Sequence, residues 1–309
     1  MIYENFKNTS SITGVRLVLA ALLFAAIVLA SCADGSRPQS NSAVHQIKDE
    51  LGRSVKVSVH VKKAVSLAPN LTEIIFAVGA GDKLVGVTSY CNYPERAKDI
   101  PKVGDTLKPN IENILALKPD VVFVSTASQL QSFSETLEKQ GISVFVTNPN
   151  SLEDIYNSIE KIGEVFGNAK QAEEVVTQLK KRVREIEEKT KNTRKIRTFV
   201  QIDRSLYTIG EESFLTDLIE KAGGSSVTKD VATAYPKISK EKALALDPEA
   251  IILSESPDNI SPNDAFKNSS AIRNGRVYKI NADILSRPAP RIVDALEQIA
   301  KSLHPEKFQ

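Results

Sequence analysis

The sequence has no tryptophan, one methionine, two cysteines and three histidines in 309 residues. Two cysteines cannot build a disulfide framework or a structural zinc site. His45, His60 and His304 are scattered along the chain, which speaks against a histidine-rich metal cluster. An excess of charge is missing as well: 40 Lys and Arg stand against 38 Asp and Glu, a net charge of +2. A nucleic-acid partner would call for a basic balance or patch, so none is expected. There is no Gly-rich phosphate loop, which excludes a P-loop ATPase. No nucleophile–His–acid arrangement is visible, so an enzyme is not expected. What is present is 41% apolar and 25% charged residues, a soluble globular composition. At roughly 100–200 residues per domain, the length suggests two domains.

One apolar run stands out. Residues 17–29 carry neither charge nor proline and follow a stretch containing Lys7 and Arg16. The run is short for a membrane span, and a basic start, an apolar run and small residues after it make a secretory signal. It ends Leu29-Ala30-Ser31-Cys32, which resembles the bacterial lipobox, whose cysteine is acylated and becomes the first residue of the mature protein. The expectation is a signal over residues 1–31, lipidation at Cys32 and a flexible tether over 32–46, rich in Ser and Asn. The chain would then stand outside the cytoplasmic membrane, in the periplasm or at the cell surface, held by its lipid. An ordinary signal with Cys32 as a bystander, or an uncleaved anchor, is the competing reading.

The rest alternates strand and helix. Short apolar strands are predicted at 65–67, 84–88, 102–103, 121–125 and 143–146, with helices at 71–78, 110–117 and 129–140 between or after them. Asn70, three residues before Glu73, reads as a capping box. Residues 151–166 and 169–191 read as helices, the second long, amphipathic and able to bridge two domains. Strands at 197–202, 250–253 and 277–280 then alternate with helices at 214–222, 240–246 and 291–302. Such alternation means crossover units and largely parallel sheets, an α/β fold.

The second half repeats the first. Residues 110–125 align with 239–254 at six identities in sixteen, with Glu112 opposite Glu241. Leu71-Thr-Glu-Ile-Ile matches Leu215-Thr-Asp-Leu-Ile, and Pro101-Lys-Val103 matches Pro236-Lys-Ile238. The expected architecture is two similar α/β lobes, at 47–150 and 195–309, joined by helices over 151–194. Ligands of such sheets sit beyond the carboxyl ends of the strands. The segments there carry Asn70, Tyr90, Tyr93 and Thr106 in the first lobe, and Tyr207, Tyr235, Asp283 and Arg287 in the second. Four of the seven tyrosines fall in this set. A tyrosine offers a flat apolar face and a polar tip, suited to a large amphipathic ligand.

Several segments carry a family resemblance: Val65-Ser-Leu-Ala-Pro-Asn-Leu-Thr-Glu73, Leu84-Val-Gly-Val-Thr-Ser-Tyr90, Tyr93-Pro94, Asn110-Ile-Glu112, Leu115-Ala-Leu-Lys-Pro-Asp120 and Arg287-Pro-Ala-Pro-Arg291. Over residues 47–304 the chain resembles the substrate-binding proteins of the cobalamin and ferric-siderophore ABC importers. The resemblance implies two lobes on one backbone helix, with the ligand between them. It also implies a monomer that works with a membrane permease and its ATPase, and docking of the permease through Glu112 and Glu241. It implies no resident cofactor, the transported ligand being a metal chelate such as a corrinoid. The cobalamin receptors are the closest pattern, with Tyr90 and Asp283 at their contact positions. Thr106, Ser125 and Ile284 stand where those receptors have aromatic rings, and Tyr235 stands where they have a tryptophan. The altered surface leaves haem or a ferric siderophore as the alternative ligand. An anionic siderophore would want several cations, for which Arg204 and Arg287 are the only candidates. Cys91 falls at the predicted rim, where a small, partly buried thiol is expected rather than a ligand of a bound metal.

Overall fold

The computed structural model describes residues 43–126 and 131–309. The expectations for the signal, for Cys32 and for most of the tether therefore lie outside the described residues, as does the start of the helix expected from 129.

The order begins with β1 (Val44–Lys48) and β2 (Ser54–Ser58), an antiparallel pair. The first lobe follows as β3 (Ala64–Ser66), α1 (Pro69–Ala77), β4 (Leu84–Val87), α2 (Ile111–Leu117), β5 (Val121–Ser125), α3 (Gln131–Lys139) and β6 (Ser143–Thr147). Two helices connect the lobes, α4 (Leu152–Val165) and α5 (Ala169–Thr190). The second lobe is β7 (Ile196–Gln201), α6 (Phe214–Lys221), β8 (Gly224–Ser226), α7 (Lys240–Leu246), β9 (Ala250–Glu255), α8 (Ser270–Arg273), β10 (Val277–Asn281), α9 (Ala282–Leu285) and α10 (Ile292–Leu303).

Each lobe holds a four-stranded parallel sheet, ordered β4-β3-β5-β6 in one and β8-β7-β9-β10 in the other. Numbered within its lobe, each runs 2-1-3-4, so the repeat read in the sequence is a repeat of topology. The aligned segments fold alike. Asn110 Oδ1 accepts from Asn113 N at 2.9 Å to cap α2, and Ser239 Oγ accepts from Lys242 N at 3.1 Å to cap α7. Both helices are seven residues long and end on a residue in the left-handed region, Lys118 (φ 49°) and Asp247 (φ 36°). A proline follows each, and then a buried strand.

The central strands are buried on both faces, which is why they read as unbroken apolar runs. Along β5, Val121 and Phe123 face one core while Val122 and Val124 face another. Along β9, Ala250 and Ile252 alternate in the same way with Ile251 and Leu253. The outer cores are separate, one per lobe. The inner core is shared and continuous: it takes in α1, α4, α5, α6 and α10 and crosses from lobe to lobe. Of the apolar stripe on α5, Ala172, Val176, Leu179, Val183 and Ile186 are buried and Val175 is half-buried against the same core.

Two details differ from expectation. Lys102 and Val103 form no strand; Lys102 makes an isolated bridge to Val87. Regular structure is present before residue 47, because β1 occupies the end of the stretch read as tether. Only Ile47, Val55 and Val57 of that hairpin reach the core, too few apolar residues in too polar a stretch to announce a strand.

Gly163 of α4 lies against Ala172 of α5, and a Cβ built on it would come 2.4 Å from the Ala172 Cβ. Helix propensity alone favours Gly163→Ala by about 1 kcal/mol. The clash between the connecting helices outweighs this, at about 1–3 kcal/mol for overpacking. Gly163→Ala is therefore expected to lower the thermal midpoint, read by circular dichroism; a higher midpoint would contradict the packing.

Candidate functional site

The chain passes from β3 into α1 at Leu67-Ala68, with Pro69 at the first helical position, where its fixed φ suits the helix. Ala68 is the N-cap and provides no side-chain bond. The capping box expected from Asn70 and Glu73 is therefore absent, because the helix starts two residues earlier than the box requires. Asn70 lies in the first turn, buried, and its Nδ2 has no hydrogen-bond partner among the described residues. Glu73 lies one turn on, in a helix buried on every side from Asn70 to Ile75.

A carboxylate in such a place needs cationic partners, and they come from the other lobe. Arg291 donates to Glu73 from Nε at 2.8 Å and from Nη2 at 2.6 Å, a bidentate pair. Arg287 Nη1 donates to the same carboxylate at 3.1 Å. The Glu73 side chain is only 2% exposed. Hydrogen bonding to Glu73 is the main cause that holds the Arg291 guanidinium above its ordinary pKa. The contact continues outward. Arg287 also donates to Asn92 Oδ1 (2.8 Å), Asp283 Oδ1 (2.6 Å) and the Tyr90 carbonyl (3.4 Å). Asn92 Nδ2 donates to Asp283 Oδ2 at 2.7 Å. The Arg291 guanidinium carbon stands 3.8 Å from the centre of the Tyr93 ring.

Every member of this network follows the carboxyl end of a strand. Glu73 comes after β3; Tyr90, Asn92 and Tyr93 come after β4; Asp283, Arg287 and Arg291 come after β10. The segment carrying the arginines is stiffened by Pro288 and Pro290, which fix φ. Asp283 is placed by Asn281, whose Oδ1 accepts from Asp283 N at 2.8 Å. The floor between the lobes is thus a set of charged and amide groups already bonded to one another.

Four tyrosines on the loops that follow the strands are open. Tyr90, Tyr93, Tyr207 and Tyr235 are 60%, 45%, 40% and 44% exposed, whereas Tyr156 is 4% exposed. Leu107 is also exposed, beside half-buried Thr106, in a turn where Asp105 Oδ1 accepts from Leu107 N and Lys108 N. In the second lobe the loop after β7 carries Tyr207. Asp203 Oδ1 accepts from Ser205 N at 2.7 Å, Leu206 is left-handed (φ 71°), and Ile202 N donates to the Tyr207 carbonyl at 2.9 Å. Buried Asn259 props that loop, donating to the carbonyls of Gln201 and Ile202. Lys237 stands 5.5 Å from the Tyr207 ring centre, and the exposed Arg204 lies 3.8 Å from Asp264. For Tyr235, desolvation by the surrounding protein raises the phenol, and Ser213 acts in the opposite sense.

Arg287, expected as a ligand contact, is occupied within the network, and Asp283 is shared between Arg287 and Asn92. Cys91 is not at a rim. It is buried, with its Sγ 3.1 Å from Thr72 Oγ1 and 3.2 Å from Thr88 Oγ1. Sequence reasoning missed the roles of Glu73, Asn92 and Arg291. The signal available was an acid at an inward position of an apolar helix, which demands an opposite charge somewhere in the chain.

Glu112 and Glu241 stand exposed in the first turns of α2 and α7, the equivalent helices of the two lobes. Hydrogen bonds from its own backbone N–H and then from Ser239 hold the Glu241 carboxyl below the usual range.

Comparison with known proteins places this architecture. The ABC transporter substrate-binding lipoprotein YvrC of Bacillus subtilis is 31% identical over 309 residues, covering 94% of this chain and 98% of its own. The vitamin B12-binding protein of Vibrio cholerae is 30% identical over 247 residues, covering 78% of this chain and 89% of its own. The crystal structure of the periplasmic vitamin B12-binding protein BtuF of Vibrio cholerae superposes with a TM-score of 0.70 at 29% identity, over 81% of this chain and 99% of that one. The model of the family described as periplasmic binding protein matches residues 65–284, and with its two parallel-sheet lobes on a helical backbone, the chain belongs to that family.

Proposed function

We propose that the protein is the extracytoplasmic substrate-binding lipoprotein of an ABC importer, and that it captures a corrinoid between its lobes and delivers it to a membrane permease. The observation that carries the ligand assignment is the set of four open tyrosines on loops that follow the strands, in a chain related over most of its length to vitamin B12-binding proteins. Tyr90, Tyr93, Tyr207 and Tyr235 offer aromatic faces to the macrocycle and hydroxyls to its amide edge. Asn70, Thr106 and Asp283 supply polar contacts, and Arg287 holds Asp283 in place. Capture of a chelate and its unchanged release need no catalytic group.

Delivery rests on Glu112 and Glu241. Each is an exposed carboxylate on a short capped helix of its own lobe, so a permease with two sets of arginines would grip both lobes at once. A continuous backbone helix and a shared core permit a small closure rather than a wide hinge. Anchoring rests on Cys32, as the sequence before it suggests.

Three outcomes are expected. In calorimetry of the full-length chain in detergent, cobalamin or cobinamide binds at least about tenfold more tightly than haem or any of a ferric siderophore panel, a gap of about 1.4 kcal/mol. Tighter binding of haem or of a siderophore would replace the corrinoid assignment. The double variant Glu112→Ala and Glu241→Ala keeps its ligand affinity within about threefold, because exposed charges remote from the ligand contribute little to it. It loses import in cells supplied with labelled corrinoid; normal import would refute docking. Cys32→Ala abolishes palmitate labelling, and unchanged labelling would refute lipidation at that residue.

A further inference from the structure

We propose that Glu73 sets the charge of the ligand that the cleft accepts. The two guanidinium groups at the seam are cationic groups of the kind that a polyanionic chelate would seek. Both are already spent. Arg291 directs Nε and Nη2 to Glu73 and lays its face on Tyr93. Arg287 directs Nη1 to Glu73 and Asn92 and Nη2 to Asp283 and the Tyr90 carbonyl. The Arg287 and Arg291 side chains are 11% and 19% exposed, respectively. Two cations thus face two carboxylates, Glu73 and Asp283, and the floor carries no net charge. Arg204, on the loop that carries Tyr207, lies by Asp264, and Lys237 lies by the Tyr207 ring; both are exposed. A neutral, amide-rimmed ligand meets this floor without a charge to desolvate. A polyanion gives up its hydration and finds no free guanidinium in exchange.

Glu73 is the residue on which this cancellation turns. It is the more buried of the two carboxylates and serves both arginines, whereas Asp283 serves one. Without its charge, Arg291 loses its carboxylate and Arg287 keeps only Asp283, so the floor carries a net positive charge on the cleft, of the kind that favours anionic chelates. Glu73 acts through the arginines and is therefore a positioning and charge-setting residue rather than a ligand contact.

The inference rests on the reading that the ligand lies between the lobes. Its test is the ratio of two affinities, which a merely structural role would leave alone. Full-length wild type and Glu73→Gln are titrated with cyanocobalamin, a neutral corrinoid, and with a trianionic ferric tris-catecholate. The trianion-to-neutral affinity ratio is expected to rise at least about 30-fold in Glu73→Gln at low salt, and to fall back towards the wild-type ratio as salt screens the exposed charge. A ratio within about threefold of wild type overturns the proposal, whether both affinities fall together or neither moves. Should Glu73→Gln fail to fold, Asp283→Asn removes the more exposed carboxylate of the same floor. It is expected to raise the ratio in the same direction, by about tenfold; no rise in that variant overturns the proposal equally. Absence of corrinoid binding by the wild type would overturn the ligand assignment instead, and the gain for the trianion between wild type and variant would still decide the role of Glu73.

Discussion

A buried carboxylate in one lobe, bonded to two arginines of the other, is the constraint on which the arrangement of the lobes depends. Removing a carboxylate from water costs several kcal/mol, and only close, well-directed cations offset it. Glu73 finds them 214 and 218 residues along the chain. The bidentate geometry to Arg291 admits little sliding or rotation, so the lobes are held at one spacing wherever the network is intact. Such a network adds little net stability over an apolar contact of the same shape. What it adds is position, because losing one partner strands a buried charge at about 3–5 kcal/mol. The shared core of α4, α5 and α10 supplies cohesion; the ion network supplies register.

Register matters because the two lobes are copies. Each presents the carboxyl ends of a 2-1-3-4 parallel sheet, and the two sets of loops meet at one seam. The copies have diverged where the seam needs unlike partners. In α1 the repeat reads Leu-Thr-Glu-Ile-Ile, and Glu73 turns inward to the arginines. In α6 it reads Leu-Thr-Asp-Leu-Ile, and Asp217 instead lies 3.7 Å from Lys221 of its own helix. They have stayed alike on α2 and α7, where the same cap, length, left-handed end and proline recur around Glu112 and Glu241. One pair of equivalent acids has been separated by the needs of the seam, while the other has kept its symmetry, as a partner gripping both lobes would require.

The fold was legible because its signals are local. Buried parallel strands read as short apolar runs, α2 and α7 carry their own caps and proline stops, and the internal repeat fixed the order. The four tyrosines lie on loops after parallel strands, where the rule for such sheets looked for them, and all four stand open while Tyr156 is buried. The floor was not legible. Glu73 looks like half of a capping box, and Arg287 looks like a free cation. Only pairing across two lobes, which local spacing cannot express, reveals that each occupies the other. Cys91 is the buried thiol that was expected, though set deeper than the rim: it belongs to the loop after β4, and its side chain turns inward to Thr72 and Thr88.

The absence of tryptophan acquires a physical meaning beside this floor. A tyrosine ring covers less apolar area than an indole, so aromatic contact alone would hold a large macrocycle more weakly. The deficit is made up in polarity, since a phenol both donates and accepts hydrogen bonds whereas an indole N–H only donates. In the proposed site the ligand would rest on rings whose hydroxyls reach its edge, above guanidinium groups that are already paired. Such a surface recognises a ligand with many neutral donors and acceptors around an apolar face, and does so without a charge to screen. Affinity of that kind depends little on ionic strength. In the proposed delivery step the charges would be the exposed carboxylates of α2 and α7, so capture and docking would draw on different forces.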